Sequence, residues 1–307
     1  MSKHIVFCLI LVLIGLVGCA TPSPTPMPTL PPPTLPPPTL PPPTVAPTQV
    51  PPTATVAPTA TAIPPTATAV PPTSTPKKEA TVNLTWLGHP SFLLKTGTGL
   101  TVLLDPAPPV VGYPVAPMVG VDVVTVSHEH SDHNFIALAS GSPQVLRGLA
   151  GNDWAKVDQT VKGVRIRTVN SYHDDTQGSA RGKNAIFVYE MDGLKIAHLG
   201  DLGIKLTDDQ IKQIGALDVV IIPVGGYYTI DGKVAAEVVA QLNPKIVVPM
   251  HYKTPVLMAD LGKVLSDAEG FISALGTSVQ VERTAQTVTI SSNNLPAKRT
   301  VYVMNYK

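Results

Sequence analysis

The sequence predicts an α/β domain in which two β-sheets are flanked by helices, and three observations carry that prediction. Apolar runs of strand length recur through residues 81–307, some alternating and some fully apolar, as strands with one or two buried faces do. Two helical stretches, opened by Thr207 and by Asp231, are interleaved with those runs. Several runs also end in a histidine or aspartate, and layered α/β proteins collect their sites at such strand ends. The 227 residues from 81 to 307 suffice for one sizeable core.

In chain order, Thr81–Leu87 alternates and reaches Gly88-His89-Pro90. Ser91–Thr96 follows, and Leu100–Leu104 ends in Asp105-Pro106, so the domain opens as an antiparallel meander. Ala107–Val119 is apolar but broken by prolines, a composition that suits a lip over a site. The apolar run Val121–Val126 leads into Ser127-His128-Glu129-His130-Ser131-Asp132-His133. Val164–Val169 leads into Ser171-Tyr172-His173-Asp174-Asp175. Ala185–Glu190 and Leu194–Leu199 form a hairpin across Met191-Asp192-Gly193, and its second strand ends at Gly200-Asp201. Thr207 caps a helix through Ile214. Asp218–Ile222 opens into Pro223-Val224-Gly225-Gly226-Tyr227-Tyr228, Asp231 starts a helix through Leu242, and Lys245–Met250 carries His251 at its end. A helix near Ala268–Leu275 and strands at Val279–Arg283 and Thr287–Ser291 complete the second half.

The stretch 127–133 says metal. His128 and His130 are two apart, so imidazoles leaving the end of an extended strand project to the same side and share one ion. Asp132 and His133 follow where the chain is already turning, and suit a second ion beside the first. The only cysteines are Cys8 and Cys19, both near the N-terminus. A site in the domain is therefore built from His, Asp and Glu, which suits zinc, manganese, iron or nickel.

The N-terminal residues have a different composition. Lys3 and His4 precede an apolar run of 14 residues, Ile5–Gly18, and Leu16-Val17-Gly18-Cys19 resembles the bacterial lipobox. A signal peptide over 1–18, cleaved to leave Cys19 as the lipid anchor, places the protein outside the cytoplasm and on a membrane. Residues 21–76 hold 22 of the 34 prolines and no charged residue, with Thr-Leu-Pro-Pro-Pro starting at Thr29, Thr34 and Thr39. Residues 19–80 therefore read as a polyproline-II-like stalk of roughly 3.1 Å per residue, on the order of 100 Å long. With Lys3, Lys77, Lys78 and Glu79 set aside, the domain has 19 basic and 20 acidic residues, net −1. That balance gives no basic stripe for nucleic acid.

His128, His130, Asp132, His133, His173, Asp201 and His251 occur in the order and approximate spacing of the metallo-beta-lactamase superfamily. Thr85-Trp86-Leu87-Gly88-His89, Arg181-Gly182-Lys183-Asn184 and Pro249-Met250-His251-Tyr252-Lys253 resemble its L-ascorbate-6-phosphate lactonase branch. The resemblance implies a four-layer αββα sandwich and a hydrolase over 81–307. It implies that His128, His130 and His173 bind one metal ion, that Asp132, His133 and His251 bind a second, and that Asp201 bridges the two. The ions would be divalent, zinc first, with a hydroxide held between them as nucleophile and Asp132 orienting it.

His89 either lines the pocket or ties down the turn before Pro90, Asp105 orients a ligating imidazole or caps the turn at Pro106, and His198 reads as a satisfied core histidine. Arg181, Lys253, Tyr227, Tyr228 and Asn184 are the groups available to bind a small-molecule substrate. The favoured reaction is hydrolysis of a lactone or ester. Phosphodiester cleavage of the N-acyl-phosphatidylethanolamine phospholipase D kind is the alternative, and a non-catalytic metal- or ligand-binding surface protein is the reading from another class. Redox relatives need a glutamate where His130 stands, and nuclease relatives need an inserted domain for which the chain has no room.

Overall fold

In the computed structural model, residues 81–191 and 193–307 are described. The signal peptide, Cys19 and the stalk lie outside the described residues. The strands in order are β1 (Thr81–Gly88), β2 (Ser91–Thr96), β3 (Thr101–Leu104), β4 (Val123–Val126) and β5 (Gln144–Arg147), then the two-residue strands β6 (Leu149–Ala150) and β7 (Asp153–Trp154). They continue with β8 (Asp158–Val161), β9 (Val164–Tyr172), β10 (Lys183–Met191), β11 (Leu194–His198), β12 (Val219–Pro223), β13 (Ile246–Met250), β14 (Gln280–Thr284), β15 (Thr287–Ser291) and β16 (Thr300–Met304). The α-helices are α1 (Asp208–Ile214), α2 (Gly232–Leu242), α3 (Ala259–Val264) and α4 (Glu269–Leu275).

Two large sheets result, one ordered β15-β1-β2-β3-β4-β5 and the other β14-β16-β13-β12-β11-β10-β9-β8. The α/β sandwich expected from the sequence is the fold observed. Strand alternation assigns the layers: Val102 and Leu104 of β3 join the large core shared with the second sheet, while Leu103 between them joins a smaller cluster on the opposite face. β12 and β13 are buried at every position and pair in parallel, which explains why they read as unbroken apolar runs. Over the first sheet's outer face, the covering layer includes Leu138 and Ala139, from an irregular segment with a 3₁₀ turn at Ile136–Leu138.

The helix signals read from the sequence fit closely. Thr207 forms a reciprocal capping box with Gln210 at α1. Asp231 accepts from the Val234 N–H at α2, which buries Ala235, Val238, Val239 and Leu242 on one face. One placement differs. Thr287–Ser291 pairs with β1 in the first sheet instead of completing the second half, because the chain crosses between sheets after β14. The sequence reading also passed over β5 to β8, α3 and β16, which are short or carry no clear period.

Candidate metal centre

The site lies where strands end. β4 stops at Val126 just before the histidine loop, β9 at Tyr172 just before His173, β11 shortly before Asp201, and β13 just before His251. β1 and β3 deliver His89 and Asp105 in the same way, both buried. Three of these residues turn sharply, with φ of 52° at His89, 40° at Asp105 and 52° at His251. Non-glycine residues adopt that left-handed conformation at a cost of order 1–3 kcal/mol, and they do so where surrounding structure over-determines them. The surroundings are tight: a Cβ on Gly225 would lie 2.2 Å from the His251 carbonyl oxygen.

The donor atoms form two adjoining groups. In the first, His128 Nε2 is 3.0 Å and His173 Nε2 is 3.2 Å from His130 Nδ1, and Asp201 Oδ2 is 3.1 Å from His173 Nε2 and 3.8 Å from His128 Nε2. In the second, His133 Nε2 is 3.2 Å from Asp201 Oδ1 and 3.9 Å from Asp132 Oδ2, and His251 Nε2 is 3.4 Å from Asp201 Oδ2. A tetrahedral zinc with bonds of about 2.0–2.1 Å has ligand–ligand edges of roughly 3.3–3.4 Å, so these separations fit shared coordination. Buried polar atoms without a hydrogen-bond partner point the same way. His133 Nε2 and Asp201 Oδ1 are both such orphans even though they face each other.

Other side chains orient the donors. Asp105 Oδ2 lies 2.8 Å from His133 Nδ1, and its other oxygen accepts from the Ser127 N–H at 2.8 Å. Ser127 Oγ also donates to Asp105 and lies 3.0 Å from His128 Nδ1. Thus one buried carboxylate and one hydroxyl link a ligand candidate from each group. His89 Nε2 is 3.1 Å from Asp132 Oδ2, and its ring packs 4.0 Å from that of His251. Its carbonyl accepts from Trp86 Nε1, so it ties down the turn; fully buried and outside the pocket lining, it contacts Asp132 and His251 and not a substrate.

Burial holds His128 well below an ordinary imidazole, lowers His130, and pushes His251 down to about 3. His133 departs in the opposite direction. Burial opposes its charge, but the carboxylates of Asp201, Asp132 and Asp105 outweigh that and raise it well above the usual value. Burial likewise opposes charge on Asp201, yet the imidazoles of His133, His251 and His173 hold it well below an ordinary carboxylate. Asp132 is lowered too, against burial, by His133 and His89.

The seven residues read as ligand candidates therefore converge, and the pocket above them, about 470 Å³, includes Arg181 and Tyr228 in its lining. The other substrate candidates do not reach it. Tyr227, at φ 59°, turns outward, is 62% exposed and lines a separate cleft beside Asp231. Lys253 is two residues past His251, where the backbone has turned to bond Ser266; it lines a cavity with Trp86, Arg283 and Tyr306. Asn184 is buried and structural, accepting from the Asp201 N–H at 3.0 Å and donating to the Leu199 carbonyl at 2.9 Å. His198 is a core histidine bonded to the Pro90 carbonyl at 2.9 Å. Two contributors were missed. Ser127 had its place before His128 as a signal, and Asp174 is a buried carboxylate immediately after His173.

Residues 83–251, more than half of the chain, match the beta-lactamase superfamily domain. The chain belongs to the metallo-beta-lactamase superfamily. Curated relatives of this superfamily member include a metal-dependent hydrolase from Archaeoglobus fulgidus, 31% identical over 228 residues, spanning 65% of this chain and 94% of the relative. A second, from Methanoregula boonei, is 34% identical over 218 residues, spanning 65% and 92%. Among solved structures, a Thermotoga maritima protein assigned as a Zn-dependent hydrolase of the metallo-beta-lactamase superfamily is 36% identical. It covers 73% of this chain and 98% of its own, with a TM-score of 0.57. This superfamily member is thus a metal-dependent hydrolase with His/Asp clusters suited to a metal.

Proposed function

We propose that the domain hydrolyses a lactone or ester at a two-ion centre. His128, His130 and His173 would hold one ion, Asp132, His133 and His251 the other, and Asp201 both. The observation that carries this is Asp201, whose carboxylate reaches both groups, Oδ2 lying near His173 of the first and His251 of the second, and Oδ1 near His133 of the second. A pair of divalent ions so placed, zinc first among the candidates, would polarise a carbonyl and bring a water's pKa toward neutrality.

The chain's own residues supply the rest. Asp201 keeps its charge because three imidazoles surround it, so it remains a ligand across the neutral range. Asp132, held ionised and tied by His89 through Oδ2, is positioned to orient a water and accept its proton. Burial of His128, His173, His133 and His251 excludes competing solvent from the floor of the pocket. The sequence Leu16-Val17-Gly18-Cys19 supports display of this domain outside the cytoplasm, anchored to a membrane by lipid on Cys19 and spaced from it by the proline-rich stalk.

The test is a panel of lactones, esters, beta-lactams and phosphodiesters given to the full chain, with and without chelator, beside a measurement of bound metal. Chelator-sensitive turnover of lactones or esters, restored by added metal, is expected. Turnover confined to phosphodiesters would replace this reading with the phosphodiesterase one, and two tightly held ions without turnover would make the protein a binder.

A further inference from the structure

We infer that the substrate is a carbonyl compound with two unlike ends, an anionic group, carboxylate or phosphate, held by Arg181 and an apolar arm lying along Val110, Val111, Met258 and Leu261. This rests on the lactone or ester reading above. Arg181 lines the pocket over the metal residues and also a second cavity of about 340 Å³ that reaches His128 and His130 from the other side. Its guanidinium lies 5.7 Å from the centre of the Tyr228 ring. Among the described residues it makes no ion pair, whereas Arg147, Arg165, Arg167 and Arg283 all do.

The position is built. Asp174, the buried residue directly after His173, accepts from the N–H groups of Thr176, Gly178, Ala180 and Arg181 and from the Thr176 hydroxyl, all within 3.1 Å. One carboxylate thus knots the whole turn from 174 to 181 and fixes where Arg181 leaves the backbone. A cation fixed beside a centre for dications is repelled unless the occupant of the pocket is negative, and the planar guanidinium fork matches carboxylate and phosphate alike.

The other wall is mainly apolar, its one charged group being Asp260, which pairs with Lys263 at 2.8 Å. It comes from the proline-rich lip, with Val110 71% exposed, and from Met258 and Leu261 at the start of α3. Apolar side chains left open in a pocket of this size are suited to a short alkyl or acyl arm. The reacting carbonyl, over Asp201, would lie between the two ends.

The probes are alkyl hydrogen succinates and alkyl esters of phosphoglycolic acid, from ethyl to octyl, against neutral methyl alkyl succinates. In the wild-type chain kcat/KM should favour the anionic members by on the order of 10- to 100-fold. It should rise about fourfold for each added methylene until the wall is filled. R181M should abolish the anionic preference, mostly through KM, and R181K should restore part of it. In chelator-treated protein, where no turnover occurs, octyl hydrogen succinate should bind more tightly than methyl octyl succinate in the wild type and equally in R181M. The carboxylate and phosphate series identify which anion fits. A wild-type preference near one, or a preference that survives R181M, would overturn the inference while leaving the esterase reading intact. Absence of chelator-sensitive turnover for every ester, charged or neutral, would instead remove the reading beneath it.

Discussion

The two groups of ligand candidates are only two residues apart in the loop, at His130 and Asp132, yet they are braced differently. The His128–His130–His173 group has one exposed member, His130, and burial lowers both His128 and His130. The Asp132–His133–His251 group is backed by two further buried residues, Asp105 behind His133 and His89 behind Asp132. It also contains the one imidazole raised well above its ordinary value. On the proposed two-ion reading, the difference teaches that one side would receive its ion as folded and that the other would exchange a proton for it.

Asp201 joins the two sides, so its replacement should erase the comparison. For Asp201→Asn, turnover should fall on the order of 10³-fold, because transition-state stabilisation through the ions is worth several kcal/mol. Metal content should drop from two ions per chain to one or none. A variant that keeps two ions and wild-type turnover would refute the bridging role.

Next in size is Asp105→Asn, which keeps the left-handed backbone, since asparagine tolerates it, and alters only the partner of His133. Calorimetric titration should find one ion bound about 10- to 100-fold more weakly and the other unchanged. Equal weakening of both would mean that Asp105 serves the loop as a whole.

The same titration repeated across pH sharpens the contrast. His133 is raised well above an ordinary imidazole, so on the two-ion reading an ion on its side displaces a proton, and its Kd should fall with rising pH, by up to about tenfold per unit. His128 and His130 are lowered and already neutral there, so the other ion's Kd should stay flat. Two parallel slopes would contradict the asymmetry.

His89→Ala should weaken the Asp132 side, by less than tenfold if the loop's own fold holds Asp132, and His89→Gln should recover the loss by donating in its place. Smallest is Arg147→Ala, which removes an exposed ion pair to Glu129 beside the ligand loop. Half-exposed pairs of this kind contribute about 0–1 kcal/mol, so melting temperature and both metal affinities should barely move.

Much of this centre could be read along the chain because its signals are local. Four ligand candidates sit within residues 128–133, and the caps at Thr207 and Asp231 declare themselves within one helical turn. The apolar strands before His173, Asp201 and His251 are likewise short continuous patterns. Tyr227 and Lys253 were misplaced because adjacency to a pocket residue says nothing about the direction of a side chain once the backbone turns. At Tyr227 a single left-handed residue sends one tyrosine outward and leaves Tyr228 facing the pocket.

The sequence by itself determined the order of donors along the chain, the caps of α1 and α2 and the absence of thiol ligands from the domain, because each depends on residue type and on spacing within a few positions. Only the tertiary structure decided which atoms meet. Asp105 reaching His133, His89 reaching Asp132, and Asp174 fixing Arg181 depend on strand ends and loops converging at one edge of two sheets. The reason is physical: propensity and periodicity act between neighbours in the chain, whereas hydrogen bonds and metal coordination are set by distances of about 3 Å between residues that the fold alone brings together.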